Sequence, residues 1–212
     1  MTSGRIVAAS TVDLTGLPNF TTLEKDAIQR ATRDVRTFAE LHHAANMLFD
    51  TALAHLRGNR YTIMGSILLR AFTFEAYLNH LGEKHLNLWG EKDQIQWWKK
   101  FRRVRKKTGF EPSDRLKRPY STLRPLFAFR NAIAHGRSQM IEEHREVNAR
   151  DDVNLIWPET EWEKYCTFEN AIQARDDISE LIIQLHKKAG FDDDPFAPPS
   201  ASGSVRLKST KL

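Results

Sequence analysis

One cysteine in 212 residues, Cys166, has nothing to pair with inside the chain. A disulfide framework is excluded, as is any zinc centre that takes two thiolates from one chain, and the composition fits a reducing compartment such as the cytoplasm. Long hydrophobic runs are lacking too. Every apolar block breaks within about ten residues, short of the roughly 20 that a membrane helix needs, so no membrane partner is expected. The first twenty residues hold no compact apolar stretch, so a signal peptide is not expected. There is no glycine-rich phosphate loop of P-loop or dinucleotide type. His42, His43, His55, His80, His85, His144 and His186 make no H-x-x-x-H or H-E-x-x-H pair. No metal and no cofactor is therefore expected.

What is present is a soluble composition, 41% hydrophobic and 28% charged, with an uneven charge distribution. The formal net charge is +5, yet the stretch from Lys99 to Arg118 alone holds ten Lys/Arg against two acids. That segment carries +8 and the rest of the chain is slightly acidic.

The periodicity predicts an all-α bundle of about five helices, preceded by a loose arm over 1–20 and followed from 191 by a Pro/Ser-rich, disordered tail. The globular domain is expected over 21–190. Thr21 and Glu24 form a capping box, and apolar residues from Leu23 to Leu56 recur at three- and four-residue steps. This predicts one long helix ending near Gly58-Asn59. A second, nearly all-apolar helix over about 61–86 is expected to be central and antiparallel to the first. Trp97, Phe101 and Val104 mark the inward face of a third helix whose remaining surface is basic. A fourth spans about 121–134, with Pro125 in its first turn and Gly136 after it. Thr160 and Glu163 make another capping box, opening a last long helix that Gly190 ends; VNLIWP before it reads as a brief strand.

The segment LRPLFAFRNAIAHGRS carries the most chemistry. Arg130 and His135 are five positions apart, with Asn131 next to the arginine. Five steps of about 100° place the two side chains roughly 140° apart on an ideal helix. They meet only where the helix ends or distorts, which Gly136 allows, or where a second subunit completes the site. Read locally, Arg130 also suits an exposed helix position and His135 a C-cap facing the helix dipole.

Arg-Asn-x-x-x-His at the end of a short helix, after a long antiparallel pair and before a long helix, resembles the HEPN superfamily over approximately residues 22 to 189. The resemblance implies a metal-independent endoribonuclease with Arg130, Asn131 and His135 as its catalytic motif. Histidine ordinarily titrates near neutral pH, which suits His135 to exchanging a proton with a ribose 2′-hydroxyl or a leaving oxygen. Arg130 suits bracing a phosphorane-like transition state, and Asn131 orienting the phosphate or the histidine. The resemblance further implies a homodimer with a composite site, and RNA as substrate. Toxin, defence and RNA-processing roles occur in the family, and the first of these implies an inhibitory protein or nucleic-acid partner. Some members keep the fold only as a binding or dimerisation module, which is the alternative reading. A helical adaptor that docks its basic helix on an acidic protein is a third.

Glu75 lies within an apolar face beside Leu68, Ala71, Phe72, Leu78 and Asn79. An unpaired carboxylate there would be costly, so a partner is required. The HEPN resemblance counts Glu75 with the catalytic residues, pairing with Arg130 or polarising His135; the alternative is a structural pair with Arg70 or a residue of another helix. Lys99, Lys100, Arg102, Arg103, Arg105, Lys106 and Lys107 are the candidate RNA-binding residues, through sequence-independent phosphate attraction. Trp97, Trp98 and Phe101 offer faces for bases, although aromatics at helical spacing are more often packed against the bundle.

Overall fold

The computed structural model describes residues 27–55, 58–88, 95–112, 114, 116–142, 144, 158–198 and 201–207. The chain divides into two compact units, one formed by its two ends and one spanning Asp34–Ser200. In the first, strand β1 (Ala27–Arg33) pairs antiparallel with β2 (Ala201–Leu207), with Ala27 opposite Leu207 and Arg33 opposite Ala201. A hydroxyl contact of 2.7 Å joins Thr32 to Ser202 across the ladder.

The second unit is mostly helical. Its elements are α1 (Thr37–Ala54), α2 (Asn59–His80), α3 (Trp97–Thr108), α4 (Leu123–Ala134), α5 (Glu161–Tyr165) and α6 (Phe168–Lys188). A π-turn, Leu81–His85, prolongs α2, and a 3-10 turn, Tyr120–Thr122, leads into α4. Among the described residues no helix is long and apolar enough to cross a membrane.

Contacts between α1 and α2 run in opposite directions along the two helices. Phe38 meets Tyr77 edge-on, the Ser66 hydroxyl donates to the Ala45 carbonyl at 2.9 Å, and Leu48 lies against Gly65. A Cβ at Gly65 would stand 2.9 Å from Leu48 Cδ1, so glycine permits this close approach. Helix α2 is central: Ile67, Ala71, Phe74, Tyr77 and Leu78 are fully buried against α1, α3, α4 and α6. On α6, Ile178, Leu181, Ile182 and Leu185 complete that core.

Arg70 and Asp177 are among the charged groups buried in it. Arg70 is fully buried on α2, giving its guanidinium to His42 Nδ1 at 3.0 Å and to the Asn46 side-chain oxygen. Burial draws the Arg70 pKa down to about 10, and burial followed by the neighbouring Arg70 charge draws His42 down to about 4. Asp177 of α6, 2% exposed, receives Arg118 Nε at 2.9 and 3.0 Å and the Thr122 hydroxyl. Gln173 then donates to that same hydroxyl at 2.7 Å. This cluster fastens the start of α4 to α6.

Several expectations are corrected. The first helix begins at Thr37, not near Leu23, because Ala27–Arg33 is taken up by a partner 170 residues away that local periodicity does not reveal. The Thr21–Glu24 capping box and VNLIW lie outside the described residues. The Thr160–Glu163 box is present in both directions. It opens only a short helix, because Thr167 adopts extended backbone and caps a new one by accepting from Asn170 N–H at 3.2 Å. Cys166 therefore sits at a helix break, and burial pushes its thiol up to about 11. Ile172 of α6 is exposed, although it falls in the apolar pattern of the helix. The segment after Gly190 was expected to lack structure, yet Phe191 and Phe196 pack on the core and Phe196 stacks on His42 at 3.8 Å. His186 bridges Tyr77 and Asp193, 3.0 Å from each, and its hydrogen bond holds the Asp193 carboxyl below the usual range.

Two outcomes follow from these buried groups. Asp177→Ala strips the Arg118 and Thr122 partners, and should cost about 3 kcal/mol in urea unfolding. His42 has a folded pKa depressed below its unfolded value near 6.5. The unfolded chain thus binds more protons between pH 6.5 and 4, and stability present above pH 6.5 is lost as pH falls through that window. Discounting for partial exposure, the loss at pH 5 should be about 1 kcal/mol. The thermal midpoint of His42→Gln should fall correspondingly less between pH 7 and 5; an unchanged fall would reject this assignment.

Candidate functional site

Helix α3 starts at Trp97 after Gln96 and stops at Gly109, whose φ of 67° places it in the left-handed region that favours glycine. Its inward face carries Trp97, stacked on Phe127 of α4 at 4.1 Å, then Phe101 against Phe74, then buried Val104. Lys100 lies on that same face and is only 4% exposed. Its ammonium points to Glu75 Oε1 at 3.5 Å.

Glu75 answers the question that the sequence left open. Its other carboxylate oxygen accepts from the Arg130 guanidinium of α4. Arg70, the alternative partner, is occupied elsewhere, with His42 and Asn46. Arg130 Nη1 also donates to Asn131 Oδ1 at 2.9 Å, and the guanidinium carbon lies 5.4 and 5.9 Å from the Phe127 and Phe72 ring centres. Its Nε is buried without a hydrogen-bond partner among the described residues. The arginine is thus held by a carboxylate, an amide and two aromatic faces, a preorganised cation rather than a mobile one.

Helix α4 ends at Ala134. His135 takes the C-cap with φ −118° and ψ 20°, and its backbone N–H still reaches the Asn131 carbonyl at 2.9 Å. The helix therefore ends at His135, where the 140° separation of a continuous helix need no longer hold. Arg130, Asn131 and His135 consequently line one cleft of about 590 Å³ together with Glu75, Ile95, Gln96, Trp97, Trp98 and Lys100. Its lining holds two cations against one carboxylate, leaving +1 with His135 neutral. A pocket with that balance, an exposed imidazole and an amide suits a singly charged phosphodiester.

The basic residues of α3 separate into groups. Lys100 belongs to the cleft. Arg105 is half-buried, with Nε donating to the Phe110 carbonyl at 3.2 Å and Nη2 to Glu111 at 2.5 Å. Both are therefore engaged within the fold. Lys99, Arg102, Arg103, Lys106 and Lys107 are exposed. Asn79, one turn beyond Glu75, lines a different depression with Phe38 and His80. Sequence reasoning placed Lys100 with the phosphate-binding cations and passed over Gln96. The signal for Lys100 was present in its spacing from Trp97 and Val104, which marks it as an inward cation requiring a carboxylate.

Removing Glu75 leaves Lys100 and Arg130 facing each other without an anion. Glu75→Ala should lower unfolding stability by about 2 kcal/mol, against less than about 0.5 kcal/mol for the exposed His135→Ala. Equal losses in chemical denaturation would contradict the pairing. Compared with protein-family models, curated proteins and solved structures, the chain matches none.

Proposed function

We propose that the chain is a metal-independent endoribonuclease of HEPN type, working as a homodimer. The observation that carries this reading is the shared cleft. Arg130, Asn131 and His135, the three motif residues, line it with Glu75, the carboxylate picked out separately on α2. The opposed contact order of α1 and α2, and the position of the motif at the end of a short helix, are further support.

In the proposed reaction, His135 takes the proton of a ribose 2′-hydroxyl as that oxygen attacks the adjacent phosphorus. The bond from phosphorus to the 5′-oxygen breaks, and the leaving oxygen receives a proton from a second imidazole, His135 of the partner subunit. The products are a 2′,3′-cyclic phosphate and a 5′-hydroxyl. Arg130 stabilises the additional charge on the non-bridging oxygens. Glu75 and Lys100 act through Arg130 as positioning groups: the carboxylate fixes the guanidinium, and the lysine keeps the carboxylate from cancelling the positive field.

The purified chain should cleave single-stranded RNA in EDTA and leave cyclic phosphate ends. Arg130→Ala should lose about 10²–10³-fold in rate and His135→Ala about 10²–10⁴-fold. Equal cleavage by all three proteins would remove these residues from the chemistry. Salt-sensitive RNA binding without cleavage would favour a non-catalytic binding module.

A further inference from the structure

Trp97 and Trp98 are consecutive, yet the helix sends them to different places. Trp97 is half-buried and stacked on Phe127, whereas Trp98 is 45% exposed. Its indole N–H donates to Gln96 Oε1 at 2.7 Å, so the one polar group of the ring is satisfied and its orientation is set. Lys99 Nζ lies 5.3 Å from the ring centre. A large aromatic surface held in water by its own hydrogen bond is available to a flat ligand.

Trp98 is also the wall common to two depressions. On one side it lines the cleft with Glu75, Lys100, Arg130, Asn131 and His135. On the other it lines a groove of about 460 Å³ with Phe101, Arg102, Arg105, Lys106, Gly109 and Glu111. Glu111 is paired with Arg105, which leaves Arg102 and Lys106 as the cations of that groove. Trp98, Arg102 and Lys106 stand four residues apart in succession and form one row along α3, about 12 Å from end to end. Lys99, Arg103 and Lys107 form a neighbouring row, and neither Arg103 nor Lys107 lines the groove.

The geometry points to Trp98 as a stacking platform for an unpaired base next to the scissile phosphate, with the strand continuing into the Arg102–Lys106 groove. This assignment rests on the ribonuclease reading for the meaning of the cleft, but its binding content stands apart from catalysis. An indole face takes any base, because every base has a π-face, and the adjoining cations take the phosphates that follow. A base inside a duplex already has neighbours on both faces. The platform therefore selects single-stranded over paired RNA without reading sequence, and it makes position 98 a determinant of substrate class.

The test measures affinity by fluorescence anisotropy for a short single-stranded RNA and for the same RNA annealed to its complement. Full-length protein carrying His135→Ala is used in EDTA so that no turnover intervenes. Trp98→Ala should weaken single-strand binding about tenfold, change duplex binding by less than twofold, and leave the thermal midpoint unaltered. Trp98→Phe should recover most of the loss. Arg102→Ala/Lys106→Ala should weaken single-strand binding more than Arg103→Ala/Lys107→Ala, although both remove the same charge. Equal effects of the two double variants, or an unchanged single-strand affinity in Trp98→Ala, would overturn the platform and its path. Cleavage by the protein with native His135, measured alongside, separates the two readings. Cleavage with no effect at Trp98 sinks only the platform; loss of single-strand affinity at Trp98 in a chain that does not cleave sinks only the nuclease. Tight binding of an acidic peptide with no RNA binding would overturn both.

Discussion

A single carboxylate sets the arrangement of three helices. Glu75 projects from the central helix and holds Lys100 of α3 with one oxygen and Arg130 of α4 with the other. An anion in a mostly apolar interior is tolerated only when its charge is met, and two cations from separate elements meet this one. The requirement acts both ways, because Lys100 is more deeply buried than Glu75 and has its own need for an anion. Packing of Trp97 on Phe127 brings α3 and α4 together, and the ion cluster fixes their rotation. The cleft lies where these two constraints meet.

A second anchor works from the opposite end of α4. Asp177 gathers Arg118 and Thr122, and the neighbouring Tyr120 hydroxyl donates to Gln184 at 3.2 Å. With its start tied to α6 and its later turns tied to α2, α4 has little freedom to shift. The irregularity is left to its last residue, where His135 leaves helical geometry. A rigid helix that ends at the right residue delivers its terminal imidazole into the same cleft as an arginine more than a turn earlier.

Much of this was legible because it depends on short-range pattern. The apolar run of α2, the Trp97–Phe101–Val104 stripe, the Thr160–Glu163 box and the break after Ala134 all report interactions within a few residues. The demand that Glu75 have a partner followed from its apolar neighbours, although the choice of Arg130 over Arg70 did not, since it depends on how α2 turns between α1 and α4. The strand Ala27–Arg33 was illegible for a stronger reason: nothing within it distinguishes a helical continuation from an extended segment until its distant partner is known. Phe191 and Phe196 were masked by the polar, Pro-rich company they keep, since composition reports the average of a segment and packing uses its exceptions.

The paired indoles at the start of α3 have a consequence for how such a chain changes over generations. One residue step, about 100° of helix, separates a position that the core cannot release from one that the core does not use. Substitutions at Trp97 are constrained by its stack on Phe127, whereas Trp98 is tied only to its own neighbours on α3, Gln96 and Lys99. Trp98 can therefore change without disturbing the stack that holds Trp97, and adjacent codons answer to different demands.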